Sequence, residues 1–219
     1  MPLFEIVCLA NSRKLSGRCV AGLRSDGGGW IRPVGHNEDG TLFRNDYTLT
    51  DGSEAQVLDL LRIELSKHSP KPHQPENWLV GSRRWELVHR AEFSACYADM
   101  LEPHIVSDPY LFGNASDRIE CARFEESPAE SSLALVTPKS VRLEITTSYS
   151  GKRQVRALFS LGITHYGLVV TDPKWKRRLA GLPIGASQTI HNAMITISLG
   201  EPFHGFCYKL VAAVIPLQQ

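Results

Sequence analysis

A chain of 219 residues, 42% hydrophobic and 21% charged, has room for one large domain or two small ones, each with a buried core. No apolar run is long enough to span a bilayer. MPLFEIVCLANSRK carries no charged region before its apolar residues, so a cytoplasmic protein without a secretory signal is expected. The net charge of +1 conceals a segregation: residues 1–93 are balanced, residues 94–132 carry −6 and residues 133–219 carry +7, which marks distinct modules.

In chain order, LFEIVCLA reads as a strand and NSRKLSGR as a turn, followed by strands CVAGL and GWIRPV. SDGGG before Trp30 lacks the fixed positions of a phosphate loop and reads as a hairpin turn. The polar span 35–56 has room for a helix. Leu61, Ile63 and Leu65 alternate, which favours a strand over VLDLLRIEL. RRWELVH alternates too and reads as the fifth strand. The acidic middle, with EPHIVSDPYLFGNASD and FEESPAESS, is rich in turn formers and reads as a linker or insert. Part of it is expected between the flanking modules, with FEESPAESS its loosest stretch.

The last third is the most regular. Val141, Leu143 and Ile145 alternate with Arg142, Glu144 and Thr146; a turn at SYSGK follows; then Val155, Ala157 and Phe159 share a face. ITHYGLVV is a third strand. Over 173–181 a helix is expected, with Asp172 as cap, Pro173 at its first position and Gly181 as its stop. MITISL and FCYKLVAAVI complete the set. Three strands, a helix and two strands is the order of an OB-fold, a five-stranded Greek-key barrel, although several small barrels have five strands. The expected class is therefore mainly β: two OB-like five-stranded Greek-key barrels with short helices. The first occupies residues 1–93, an acidic linker or insert 94–132, and the second 133–219.

IVCLANSRKLSGRCVAGL, GWIRPV, QPENWL, HYGLVVTDP and LGEPFHGFCYKLVAAVI together resemble the bacterial dual OB-containing domain family, over nearly the whole chain. The resemblance implies two OB barrels and nucleic-acid binding, within bacterial conflict or defence systems. It supplies no catalytic motif.

OB barrels bind ligands across strands two and three, between the loop joining strands one and two and the loop joining four and five. Single-stranded nucleic acid needs cations for phosphates and aromatic faces for bases. In the second barrel these loops and faces offer Tyr149, Lys152, Arg153, Arg142, Arg156, Phe203 and His204, with Phe203 alternatively plugging the barrel mouth. In the first they offer Arg13, Lys14, Arg18, Trp30, Arg32 and Trp78, with Trp30 and Trp78 equally placed to be core residues. KWKRR on the expected helix reads as a solvated face or as a second phosphate contact.

Five cysteines without a CxxC pair give neither a disulfide framework nor a zinc site, and Cys8 and Cys207 lie in apolar runs as core residues. No spacing matches a hydrolase, Walker or deaminase motif, so no metal, cofactor or catalytic residue is expected. The expected function is a non-catalytic module for single-stranded or structured RNA or DNA. The alternative is a protein- or small-ligand-binding adaptor for a separate effector protein.

Overall fold

The computed structural model describes residues 1–90 and 95–217, so the expected boundary at 93/94 lies outside the described residues. Strand β1 (Leu3–Lys14) is buried on both faces through its apolar run. Ile6 and Cys8 enter the first core, while Val7 and Leu9 face the junction with the rest of the chain. Strand β2 (Gly17–Arg24) returns antiparallel, with Lys14 opposite Gly17. Only Leu15 and Ser16 form the turn, so most of the expected turn NSRKLSGR is strand. Gly17 is required there, because a Cβ would sit 2.1 Å from the Leu42 carbonyl oxygen.

Strand β3 (Trp30–Val34) pairs with β2. The 35–56 span holds one short helix, α1 (Arg44–Tyr47). After it come β4 (Leu60–His68), β5 (Asn77–Val80) and β6 (Glu86–His89). β3 runs parallel to β5, and β4 is antiparallel to both β5 and β1, so the ring β1-β2-β3-β5-β4-β1 closes as an OB barrel. The fifth strand is therefore Asn77–Val80, a correction to the expectation of RRWELVH. β6 is an extra strand on β4, and only Trp85 of its approach is deeply buried.

In the middle segment, helix α2 (Ala95–Leu101) sets Leu101 against Val7, Leu9, Met194 and Ile215, between the barrels. Strand β7 (Arg118–Glu120) and helix α3 (Ala122–Glu126) follow. FEESPAESS is anchored at several points. Phe124 is buried, Ala129 N–H donates to the Pro72 carbonyl at 2.8 Å, and Ser131 and Ser132 both bond Glu76.

Strand β8 (Leu133–Val136) enters the second sheet, which continues with β9 (Ser140–Thr147), β10 (Arg153–Leu161) and β11 (Thr164–Val170). The helix is α4 (Pro173–Arg178), and β12 (Ser187–His191), β13 (Ala193–Phe203) and β14 (Phe206–Pro216) complete the set. β12 and β13 are one OB strand bent at Asn192, whose φ is 52°. One half pairs with β9 and the other with β14, which runs parallel to β11. β8 adds to β13 and β7 to β14. The alternating residues do as their period requires: Val141, Leu143 and Ile145 are fully buried. Asp172 caps α4, accepting from Lys174 N–H at 2.8 Å, and Trp175 plugs the barrel with its indole N–H on the Val214 carbonyl at 2.8 Å. Burial raises the Asp172 carboxyl above its usual value, against the backbone N–H groups of Val214, Lys174 and Trp175.

Candidate nucleic-acid interface

The two barrels meet along a seam of mixed character. Val7, Leu9 and Leu23 pack with Leu135, Met194 and Ala213. Thr196 Oγ1 donates to the Leu9 carbonyl at 2.7 Å. Arg32 lies in this seam and is 2% exposed. Its guanidinium donates to Ser132 Oγ at 2.7 Å and to Ser198 Oγ at 3.2 Å, and the Ser132 hydroxyl passes the contact on to Glu76 at 2.7 Å. Arg32 is thus a structural cation, out of reach of any phosphate.

Lys14 reaches across the same seam. It donates to Glu201 at 3.0 Å and to the Asp39 carbonyl. Lys71 and His73 converge on the same carboxylate at 3.1 and 3.2 Å. Burial alone would raise the Glu201 carboxyl; the His73 hydrogen bond and the charges of Lys14 and Lys71 override it and bring it down to about 2. Around this hub lies a cleft of about 680 Å³, lined by Asn37, Phe43, Lys71, His73, Glu201 and Pro202 among others.

Several other expected contacts are spoken for. Arg18 pairs with Glu54 at 2.6 Å and lies over Tyr47. Arg142 faces Glu144 at 3.6 Å. Arg156 donates to the Gly167 carbonyl. Trp78 is on β5, not in a loop, and packs against Phe4 and His68. Trp30 packs half-buried against the seam.

The remaining cations form a track around α4. Arg153 donates to the Leu179 and Leu182 carbonyls at 2.8 and 2.7 Å, which fastens the Tyr149–Lys152 turn beside the C-terminal end of the helix. At the other end, Arg13 of the first barrel donates its backbone N–H to the Thr171 carbonyl at 2.9 Å, just before the cap. Between them Lys174, Lys176, Arg177 and Arg178 are exposed, and Arg178 lies over Trp175 at 4.9 Å. Tyr149 is fully open to solvent on the turn and Lys152 is exposed beside it. So KWKRR stands beside the Tyr149–Lys152 turn, and Asp172, the one carboxylate of the segment 171–182, is buried at the start of the helix.

A second surface lies on the hairpin between β13 and β14. His204 and Gly205, at φ 50° and 80°, make a two-residue turn of the primed kind, and Phe203 faces Phe206 across it. Phe203 is 62% exposed, 4.2 Å from the His204 ring and 6.4 Å from Tyr208. Arg118, opposite Tyr208 on β7, lies 4.6 Å from the Phe206 ring centre and 5.8 Å from that of Tyr208. Phe203 does not plug the barrel. Phe206, Tyr208 and Arg118 were not expected here. Period-two spacing across HGFCY offers the two aromatics, whereas Arg118 joins them only through strand pairing that its own sequence does not announce. The Tyr149 turn and this hairpin share no hydrogen bond, ion pair or ring contact among the described residues.

Among the described residues no three His, Cys, Asp or Glu side chains stand together as metal ligands, and no helix is long and apolar enough to cross a membrane. No curated protein matches the sequence. Solved structures with a similar outline include a murine DNA-binding protein bound with double-stranded DNA: 8% identity, TM-score 0.34, covering 99% of this chain and 100% of that one. Another is the tetrameric p202 HIN2, at 8% identity and TM-score 0.30, covering 99% and 95%. Likenesses of this size assign no ligand. The dual OB-containing domain matches residues 4–214, the span of both barrels and the segment between them, and the chain belongs to that family.

Proposed function

We propose that this protein is a non-catalytic nucleic-acid-binding module that holds the phosphate backbone along the α4 track. The carrying observation is the run of exposed cations from Arg13 through Lys174, Lys176 and Arg177 to Lys152, drawn together by the Arg13–Thr171 and Arg153–Leu179 bonds. Phosphate recognition needs such clustered, uncompensated charge. The Phe203, Phe206, Tyr208 and Arg118 surface supplies stacking faces of the kind single strands use. A bacterial conflict or defence system is the setting the family resemblance points to, with RNA or DNA as the partner.

The test is binding of a labelled single-stranded oligonucleotide across a salt series. A slope near −0.7 per contacted phosphate is expected, and Lys152→Ala, Lys176→Ala and Arg177→Ala together should flatten it by about 2 while weakening all sequences alike. A salt-independent or undetectable affinity rejects the reading. One observation favours the adaptor alternative: the cleft at Glu201 joins an apolar wall at Phe43 and Pro202 to a polar one, the make-up of a small-ligand site.

A further inference from the structure

Beneath the aromatic hairpin two thiols meet. Strand β7 pairs with β14 so that Ile119 faces Cys207 and Glu120 faces Phe206, and Cys121 N–H then donates to the Gly205 carbonyl at 2.9 Å. That register puts Cys121 diagonally across from Cys207, with their Sγ atoms 3.6 Å apart. The two residues are 86 positions apart in sequence and belong to different parts of the fold, the acidic segment and the closing strand of the second barrel. Cys207 is wholly buried among Ile119, Phe124 and Leu199, and Cys121 is half-exposed at the edge of that cluster. Both are free thiols in this structure.

We propose that Cys121 and Cys207 are a reversible dithiol latch, oxidised by low-molecular-weight disulfides and fixing the acidic segment onto the aromatic hairpin. The half-exposed residue is the way in. The Cys121 thiolate attacks a disulfide RSSR, forms a Cys121–S–SR mixed disulfide and releases one thiol RSH. Cys207, as its thiolate, then attacks the Cys121 sulfur, closes the intramolecular bond and releases the second RSH. The two protein thiols supply two electrons and two protons, and one RSSR becomes two RSH. Deep burial and then the neighbouring Cys121, which push the Cys207 thiol up to about 12, keep Cys207 from reacting first and assign it the resolving role. The closed latch holds Arg118, three residues before Cys121, against Phe206 and Tyr208.

Full-length protein is incubated with oxidised glutathione, alkylated, digested without reduction and read by mass spectrometry. The expected product is a peptide joining Cys121 to Cys207, lost on adding a dithiol reductant. Cys121→Ser should abolish it, and Cys207→Ser should leave a glutathione adduct on Cys121 that never resolves. Should the buried substitution fail to fold, Cys121→Ser alone still decides the point, since its side chain is half-exposed. No Cys121–Cys207 peptide, or a link formed instead to Cys19 or Cys96, overturns the proposal. The mass readout does not depend on nucleic-acid binding. The consequence for the hairpin does rest on that reading, and it is tested separately by comparing oligonucleotide affinity of the reduced and latched forms.

Discussion

Arg32 shows how a strand position misleads. WIRPV places it one residue after a core isoleucine, where a single barrel would turn it outward to solvent. A second barrel covers that face, so the outward side is a seam and Arg32 bridges to Glu76 through Ser132. Arg32→Ala should destabilise the protein by about 2 kcal/mol, because it removes the charged donor that the buried Ser132 and Ser198 hydroxyls accept from, and should not change the salt slope of binding. Denaturant melts beside the oligonucleotide assay check both. Lys209 is the converse: it adds to the apparent +7 of the last third but is buried, with its ammonium on the Asn114 carbonyl and Oδ1 at 2.8 and 2.7 Å. Desolvation brings it down to about 8, against the nearby Asp117 carboxylate. A lowered folded pKa means that the unfolded chain holds this proton more tightly. Stability should therefore rise as pH climbs from about 8 to the ordinary lysine value near 10.5, and Lys209→Met should remove that rise. A melting series over this pH range that is the same for both proteins would refute it.

Elements were legible in proportion to their periodicity. The barrel order of the last third follows from Val141, Leu143 and Ile145 and from the Asp172-Pro173 start of α4, because one buried face and one cap leave a direct mark on sequence. Asn77–Val80 left none: four residues, paired in parallel on one side and bulged on the other, are too few to show a period, and the flanking prolines read as loop. The bent fourth strand was half seen, since Ser187–His191 is mostly exposed and polar. The site was less legible than the fold. Lys152 and Arg153 were found from loop placement, but the bonds that bring them beside α4 are to backbone carbonyls, which no side-chain pattern records. The hairpin carries its own prediction. Phe203→Ala should cost roughly 1–3 kcal/mol of oligonucleotide affinity with the salt slope kept, because a stacked ring carries no charge. The melting temperature should hardly move, since the ring is mostly in solvent. Lost stability with intact affinity would return Phe203 to a packing role.

At the scale of the whole molecule the barrels behave as one body. Val7, Leu9 and Leu23 of the first would be exposed without Leu135, Met194 and Ala213 of the second, and Leu101 of the acidic segment closes the same core. Such a seam predicts a single cooperative unfolding transition, not two. Its polar side includes, beside the Arg32 network, Glu201 of the second barrel, which meets Lys14, Lys71 and His73 of the first. The Glu201 carboxyl is held near 2 in the folded protein, against an ordinary glutamate value near 4.5. A depressed folded pKa means that the stabilisation is complete above about 4.5 and is lost as pH falls towards about 2, where the folded carboxylate also protonates. The loss attributable to this group is roughly 1–3 kcal/mol, allowing for its partial exposure to solvent. Glu201→Gln keeps the shape and removes the charge. The variant should be less stable than the parent at neutral pH, and the difference should shrink as pH is lowered through the window. If the barrels are joined mainly here, its unfolding should also split into two transitions; one retained transition would assign the coupling to the apolar seam of Val7, Leu9 and Met194 instead. Scanning calorimetry from pH 7 to pH 3 separates these outcomes, and a stability difference that stays constant across the range would show that Glu201 does not titrate against its three partners.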